Sequence, residues 1–168
     1  MMTLNERLVS RLYTALKEHR PEQMAECYSD QASFRDIAFD LSNKREIVAM
    51  WSMICATDIR TTFEVLSASS DRVVARVVDE YTFTDTGRRV RNVIESRFLI
   101  RDSLIIEHFD QCDPRLWAAM ALGGLPGFLA GRFRFLRSWK ARALLRDFQK
   151  QHPTASSTER GPLHGSRL

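Results

Sequence analysis

Apolar and polar residues alternate with a period of two over residues 79–113, and this stretch organises the chain. It predicts three strands joined by turns at Asp85-Thr86-Gly87 and Asp102-Ser103, whose Asp, Gly and Ser residues suit tight reversals. One parity sets Asp79, Asn92, Ser96, His108 and Asp110 among Val77, Tyr81, Ile94, Phe98 and Ile106, on a single sheet face. The other parity carries Arg76, Glu80, Glu95, Arg97 and Arg101 with Val74, Val78, Val93 and Leu99. Folding the strands about their turns places Asp79 opposite about position 94 and Asp110 opposite about Ser96. The two carboxylates then lie two strands apart, roughly 10 Å between backbones, with small Ser96 near the gap.

Before this stretch the period changes to that of a helix. Leu4, Leu8, Leu12, Ala15 and Leu16 form an apolar stripe behind a Thr3/Glu6 capping-box pattern. Pro21 suits the first turn of a second short helix running through Tyr28. Residues 32–36 read as a short strand. A third helix starts at Asn43 with Glu46 and presents Ile47, Met50, Trp51 and Ile54. Strands are expected at about 61–68, 72–84, 88–101 and 104–112, and Pro114 opens further helix. This order predicts an α+β fold, a cone-shaped curved antiparallel sheet with helices on its concave side. Residues 1–122 form the expected domain. Beyond the Gly123–Gly127 break, 123–150 read as a basic amphipathic helical extension, and Ser, Pro, Gly and charge make 151–168 an expected disordered tail.

Charge changes the picture in one respect. The net +4 comes from the C-terminal third: residues 1–113 hold 15 Lys/Arg and 19 Asp/Glu, residues 114–168 hold 10 and 2. The main domain is therefore not expected to bind nucleic acid. The apolar, cationic residues 128–148 suit packing on the domain or a partner first, and an anionic membrane surface second. Three cysteines without a Cys-x-x-Cys, and a start lacking an apolar signal core, give a cytoplasmic expectation.

A mostly apolar face carrying carboxylates and an imidazole suggests a hydrophobic pocket. Asp110 is the first candidate for a general acid or base, Asp79 its counterpart, His108 the group that tunes or relays its proton, and Asp36 a third carboxylate. Asn92 and Ser96 would contact a ligand, with Tyr28, Trp51, Tyr81 and Phe98 lining the cavity. His108, Asp110 and Cys112 lack a metal-ligand spacing, so no metal is expected. No Gly-rich phosphate loop follows a strand, so no cofactor is expected either.

Over residues 4–121 the chain resembles the nuclear transport factor 2-like superfamily, in its SnoaL-like and ketosteroid-isomerase-like branch. The marks are Tyr28-Ser29-Asp30-Gln31-Ala32-Ser33-Phe34-Arg35-Asp36, the helix with Trp51, Arg72-Val73-Val74-Ala75, Gly87, and Ile105-Ile106-Glu107-His108-Phe109-Asp110. Asp79 and Asp110 match the two carboxylates that limonene epoxide hydrolase uses on epoxide and water, but Val77 stands where that enzyme has Arg. Asp36 matches the general base of ketosteroid isomerase, whose oxyanion donors correspond to Leu12 and Ser96. Tyr13, one position from Leu12, is expected to face elsewhere. The resemblance implies a homodimer paired through the outer sheet face. It implies cofactor-free acid–base chemistry of isomerase, cyclase or epoxide-hydrolase type on a small apolar molecule. The alternative is a non-catalytic module that binds a small ligand, a protein or a membrane. The carboxylate cluster favours an enzyme; the losses at positions 77, 12 and 96 favour binding.

Overall fold

The computed structural model describes residues 2–123. The extension beyond Gly123 and the tail at 151–168 lie outside the described residues. Helix α1, Leu4–Lys17, starts where the sequence predicts. Thr3 accepts the Glu6 N–H and the Glu6 carboxylate accepts that of Thr3, satisfying two donors at the helix end. Two adjacent rows of α1 are buried, through Leu8, Val9, Leu12, Tyr13, Ala15 and Leu16, while Leu4 is exposed. Helix α2 is short, Pro21–Ala25.

Strand β1 spans Tyr28–Arg35, so Tyr28 opens a strand instead of ending a helix. A two-residue strand β2, Asp40–Leu41, turns back on it. Helix α3, Lys44–Cys55, is capped by Asn43, which accepts the Glu46 N–H at 3.0 Å. The meander follows as β3 (Arg60–Ala68), β4 (Arg72–Phe83), β5 (Arg88–Arg101) and β6 (Leu104–Gln111). Helix α4, Pro114–Leu122, closes the described chain.

The six strands lie in the order β2-β1-β6-β5-β4-β3, a curved sheet that does not close. All neighbouring pairs are antiparallel except β1 and β6, which run parallel. The helical segments between β1 and β3 allow that pairing, because the meander returns β6 to the edge of β1.

Register decides which side chains meet. Phe83 pairs with Arg88 around the first turn, so Asp79 faces Asn92, two positions from the expected 94 and on the same face. Asp102 and Ser103 both take positive φ, 52° and 60°, as a two-residue hairpin requires. Ser96 then faces Asp110 as expected. Between them the ladder slips: Leu99 pairs with Glu107 and Ile100 with Ile105, leaving Ile106 as an extra residue. Ile105, fully buried, takes the inner face expected for Ile106, which moves outward beside Arg101 and Glu107.

The core fills the space between this inner face and helices α1, α2 and α3. Helix α4 packs over the far end of the β4–β5 hairpin. Trp117 donates to the Tyr81 hydroxyl at 2.8 Å and meets Phe83 edge-on at 5.5 Å. Thr86 and Arg88 donate to the carbonyls of Ala121 and Met120 at the helix end.

Candidate functional site

The inner face carries a chain of polar groups through an otherwise apolar core. His108 is at its centre, ringed by Phe98 at 4.2 Å, Phe34 at 4.9 Å, and the rings of Tyr28, Trp51 and Tyr13 at 6.1–6.5 Å. The Trp51 indole donates to the Tyr28 hydroxyl at 3.1 Å. Tyr28 lies 2.7 Å from His108 Nδ1, and His108 Nε2 lies 2.9 Å from Asp110 Oδ1. From the other side Tyr13 donates to Ser96 Oγ at 2.7 Å, and Ser96 donates to the same Asp110 oxygen at 2.5 Å. No buried side-chain polar atom among the described residues is left without a partner.

Five members of this chain are closed to solvent; only Asp110, its side chain 11% exposed, reaches out of the core. Both hydrogen bonds converge on Oδ1. Oδ2 takes no partner among the described residues. Burial, with a contribution from the Asp110 charge, pushes both the Tyr13 and the Tyr28 phenols well above their ordinary value, so both remain protonated donors.

Tyr13 is the participant that the sequence reading misplaced. It faces inward because α1 is wedged against both the sheet and α2 and buries two rows of side chains, so a position beside Leu12 is as deep as Leu12 itself. A phenol within a stripe of Leu and Val was the available signal.

Asp79 lies nearer the α4 end of the face. Thr61, buried on β3, donates to its Oδ1 at 2.7 Å. Burial pushes the Asp79 carboxyl up to about 7, and the Asp110 charge adds to the rise, against the Thr61 hydrogen bond. Asn92 faces it across β5. Tyr81 stands one step further on, its phenol raised to about 12 by burial, with Asp79, Cys112 and Asp36 adding to the rise. Asp36 thus belongs to the same end, while its own Oδ1 accepts the N–H groups of Ala38 and Phe39 and shapes the β1–β2 turn. Val77 is buried, and Arg76 is exposed on the opposite face, so no guanidinium reaches Asp79 from this strand.

Tyr28, Trp51, Ser96 and Phe98 are buried within this packing. Two open recesses, of about 470 and 420 Å³, lie on the outer face instead, beside Arg76 and Arg97 and beside Arg101 and Glu107. Among the described residues no three His, Cys, Asp or Glu side chains gather to hold a metal ion, and no helix is long and apolar enough to cross a membrane.

Residues 9–108 match the family model of the SnoaL-like domain, a match that includes Asp79 and His108 and stops short of Asp110. No curated protein matches the sequence. Among solved structures, an M. tuberculosis LEH-like epoxide hydrolase is similar at 15% identity and TM-score 0.59, over 76% of this chain and 96% of that one. IdmH of Streptomyces antibioticus, a proposed polyketide cyclase, is similar at 21% identity and TM-score 0.60, over 71% and 99%. A protein of ketosteroid isomerase-like fold from Catenulispora acidiphila, in complex with trimethylamine, is similar at 13% identity and TM-score 0.60, over 68% and 91%. These likenesses show the shared fold.

Proposed function

The chain belongs to the SnoaL-like domain family, and from that premise we propose that it carries out cofactor-free acid–base chemistry on a small, largely apolar molecule. The reaction is of isomerase, cyclase or epoxide-hydrolase type. The observation that carries the reading is the asymmetry of Asp110, whose Oδ1 is held by Ser96 and His108 while Oδ2 is left for a substrate. Oδ2 takes a proton from a substrate carbon, or from the water that attacks it. Asp79, raised to about 7, is a mixture of acid and carboxylate at neutral pH and returns a proton to the developing oxyanion or carbanion. Exchange with water resets both groups, so the protons balance without a cofactor. Asn92 and Tyr81 position the ligand, and Asp36 contributes negative charge at the same end.

A panel of enolisable ketones, linear poly-β-ketones and epoxides in deuterated water tests this, with product formation and deuterium incorporation read by mass spectrometry. Turnover of one class is expected, falling by about two to four orders of magnitude in Asp110→Asn. An Asp110→Asn variant as fast as the parent removes Asp110 from the mechanism. A second reading, a pocket that binds without turnover, draws on Val77, which leaves the first carboxylate without a guanidinium to polarise it. Saturable binding by calorimetry, with no turnover in any class, selects it.

A further inference from the structure

We infer that Tyr28 and Trp51 are positioning residues that fix which nitrogen of His108 carries its proton; the catalytic consequence rests on the acid–base reading above. The argument is a proton inventory. An indole N–H can only donate, so the Trp51 contact at 3.1 Å makes the Tyr28 oxygen an acceptor there. Tyr28 has a single proton, and its other partner is His108 Nδ1 at 2.7 Å. That proton must therefore point at Nδ1, which must be the bare nitrogen of the ring. The imidazole proton sits on Nε2 and is donated to Asp110 Oδ1 at 2.9 Å. Ser96 and Tyr13 supply a second run of donors to the same oxygen.

The Tyr13 hydroxyl also lies 3.5 Å from Nε2, but its single proton goes to Ser96 at 2.7 Å, so the run from Trp51 to Asp110 keeps one favoured proton arrangement. It begins at a group that cannot accept and ends at a carboxylate that cannot donate. Moving the imidazole proton to Nδ1 would bring two donors onto the Tyr28 oxygen, leave its own hydroxyl proton facing apolar rings, and withdraw a hydrogen bond from Asp110. Buried groups left unpaired in this way are costly. The two aromatic residues thus do more than fill the core: through His108 they keep Oδ1 engaged and Oδ2 the sole atom of Asp110 offered to a ligand. They come from β1 and α3, and Tyr28 reaches His108 at Nδ1, the nitrogen that does not meet Asp110.

The test is the tautomer itself, read on the full-length ¹⁵N-labelled protein by long-range proton–nitrogen correlation of the imidazoles, with His108 assigned by its loss in His108→Gln. The parent should show a protonated Nε2 and a bare Nδ1. Asp110→Ala removes the carboxylate that also favours this form, and the pattern should persist because Tyr28 still donates to Nδ1. Adding Tyr28→Phe to that variant should give a mixture of both tautomers. A parent spectrum with the proton on Nδ1 overturns the inference without any variant, and so does a doubly substituted protein that keeps a single Nε2-protonated form. Where turnover has been found, Tyr28→Phe should lower kcat about tenfold with KM changed less than about twofold, as expected of a group acting through another. An unchanged kcat would overturn the catalytic consequence. Failure of the acid–base reading shows separately, as an Asp110→Asn variant of undiminished rate, and leaves the tautomer result standing.

Discussion

Asp79 changes charge near neutrality, and the sign of its effect follows from burial. Its carboxyl titrates at about 7 in the folded chain against an ordinary 3.8, so the folded state holds the proton more tightly than the unfolded state. The stability this gives is complete below about 3.8 and is lost as pH rises through about 7. Each unit is worth about 1.4 kcal/mol, and with the side chain only partly buried we expect roughly 1–3 kcal/mol in total. Asp79→Asn should match the parent in urea unfolding at pH 4 and exceed it by that amount at pH 8; a gap independent of pH would contradict the assignment. Any turnover that uses Asp79 as an acid should likewise fall above about pH 7, and this limb should disappear in Asp79→Asn. The pairing of Ser96 with Asp110 was readable from the chain, because a two-residue turn at Asp102-Ser103 fixes the strands on either side of it. The Tyr28–His108–Asp110 connection was not, since it joins β1 to β6 through a parallel pair that no hairpin specifies.

At the scale of elements, caps and turns were the readable features, and slips in register were not. Thr3 and Asn43 cap their helices as expected, and Asp113, just before the Pro114 that announces α4, adds a third cap that the structure reveals. The extra residue at Ile106 left no trace in sequence, because Ile105 and Ile106 are the same residue and only the pairing of Ile100 with Ile105 decides which faces the core. Pro21 announces a helix, and nothing in Glu26-Cys27 announces its end before Tyr28, which instead opens β1. Asp113 is the element whose removal is most informative. Its Oδ1 accepts the N–H groups of Arg115 and Leu116 at 2.8 and 3.2 Å, fixing where α4 begins after β6. Asp113→Ala should cost about 1 kcal/mol in urea unfolding, and Asp113→Asn well under half of that, since Asn still offers an oxygen. If the two variants lose equally, the charge of Asp113 matters and its capping bond does not.

At the scale of the whole molecule, the two faces of the sheet have different fates. Most of the inner face is covered by the helices and the polar chain around His108, while Asp79, Tyr81, Asn92 and Asp110 stay partly exposed. The outer face keeps Leu66 and Val93 at 44% exposure and Phe109 at 38%, an apolar strip set among Arg76, Glu95 and Arg97. Ion pairs accompany it: Glu80 with Arg91 at 3.4 Å and Glu95 with Arg97 at 2.6 Å. We propose that this face pairs with a second copy of the chain, the apolar strip forming the centre and the Arg/Glu pairs the rim. A two-fold pairing puts each exposed residue against its own counterpart or a near neighbour, so a single substitution acts twice. Val93→Asp places two carboxylates in the centre of such an interface and should shift a dimer to monomer at micromolar concentration in sedimentation velocity. The fold should be unaffected, because the inner face is untouched and Val93 contributes nothing to the buried core. A parent that sediments as a monomer at that concentration, or a Val93→Asp variant that remains dimeric, would place the contact elsewhere. The outcome also bears on the site, since β4, β5 and β6 carry Asp79, Asn92 and Asp110 on one face and the proposed interface on the other. Stiffening the three strands from outside would hold the two carboxylates at a fixed separation, so a monomeric variant should lose turnover through kcat before it loses stability.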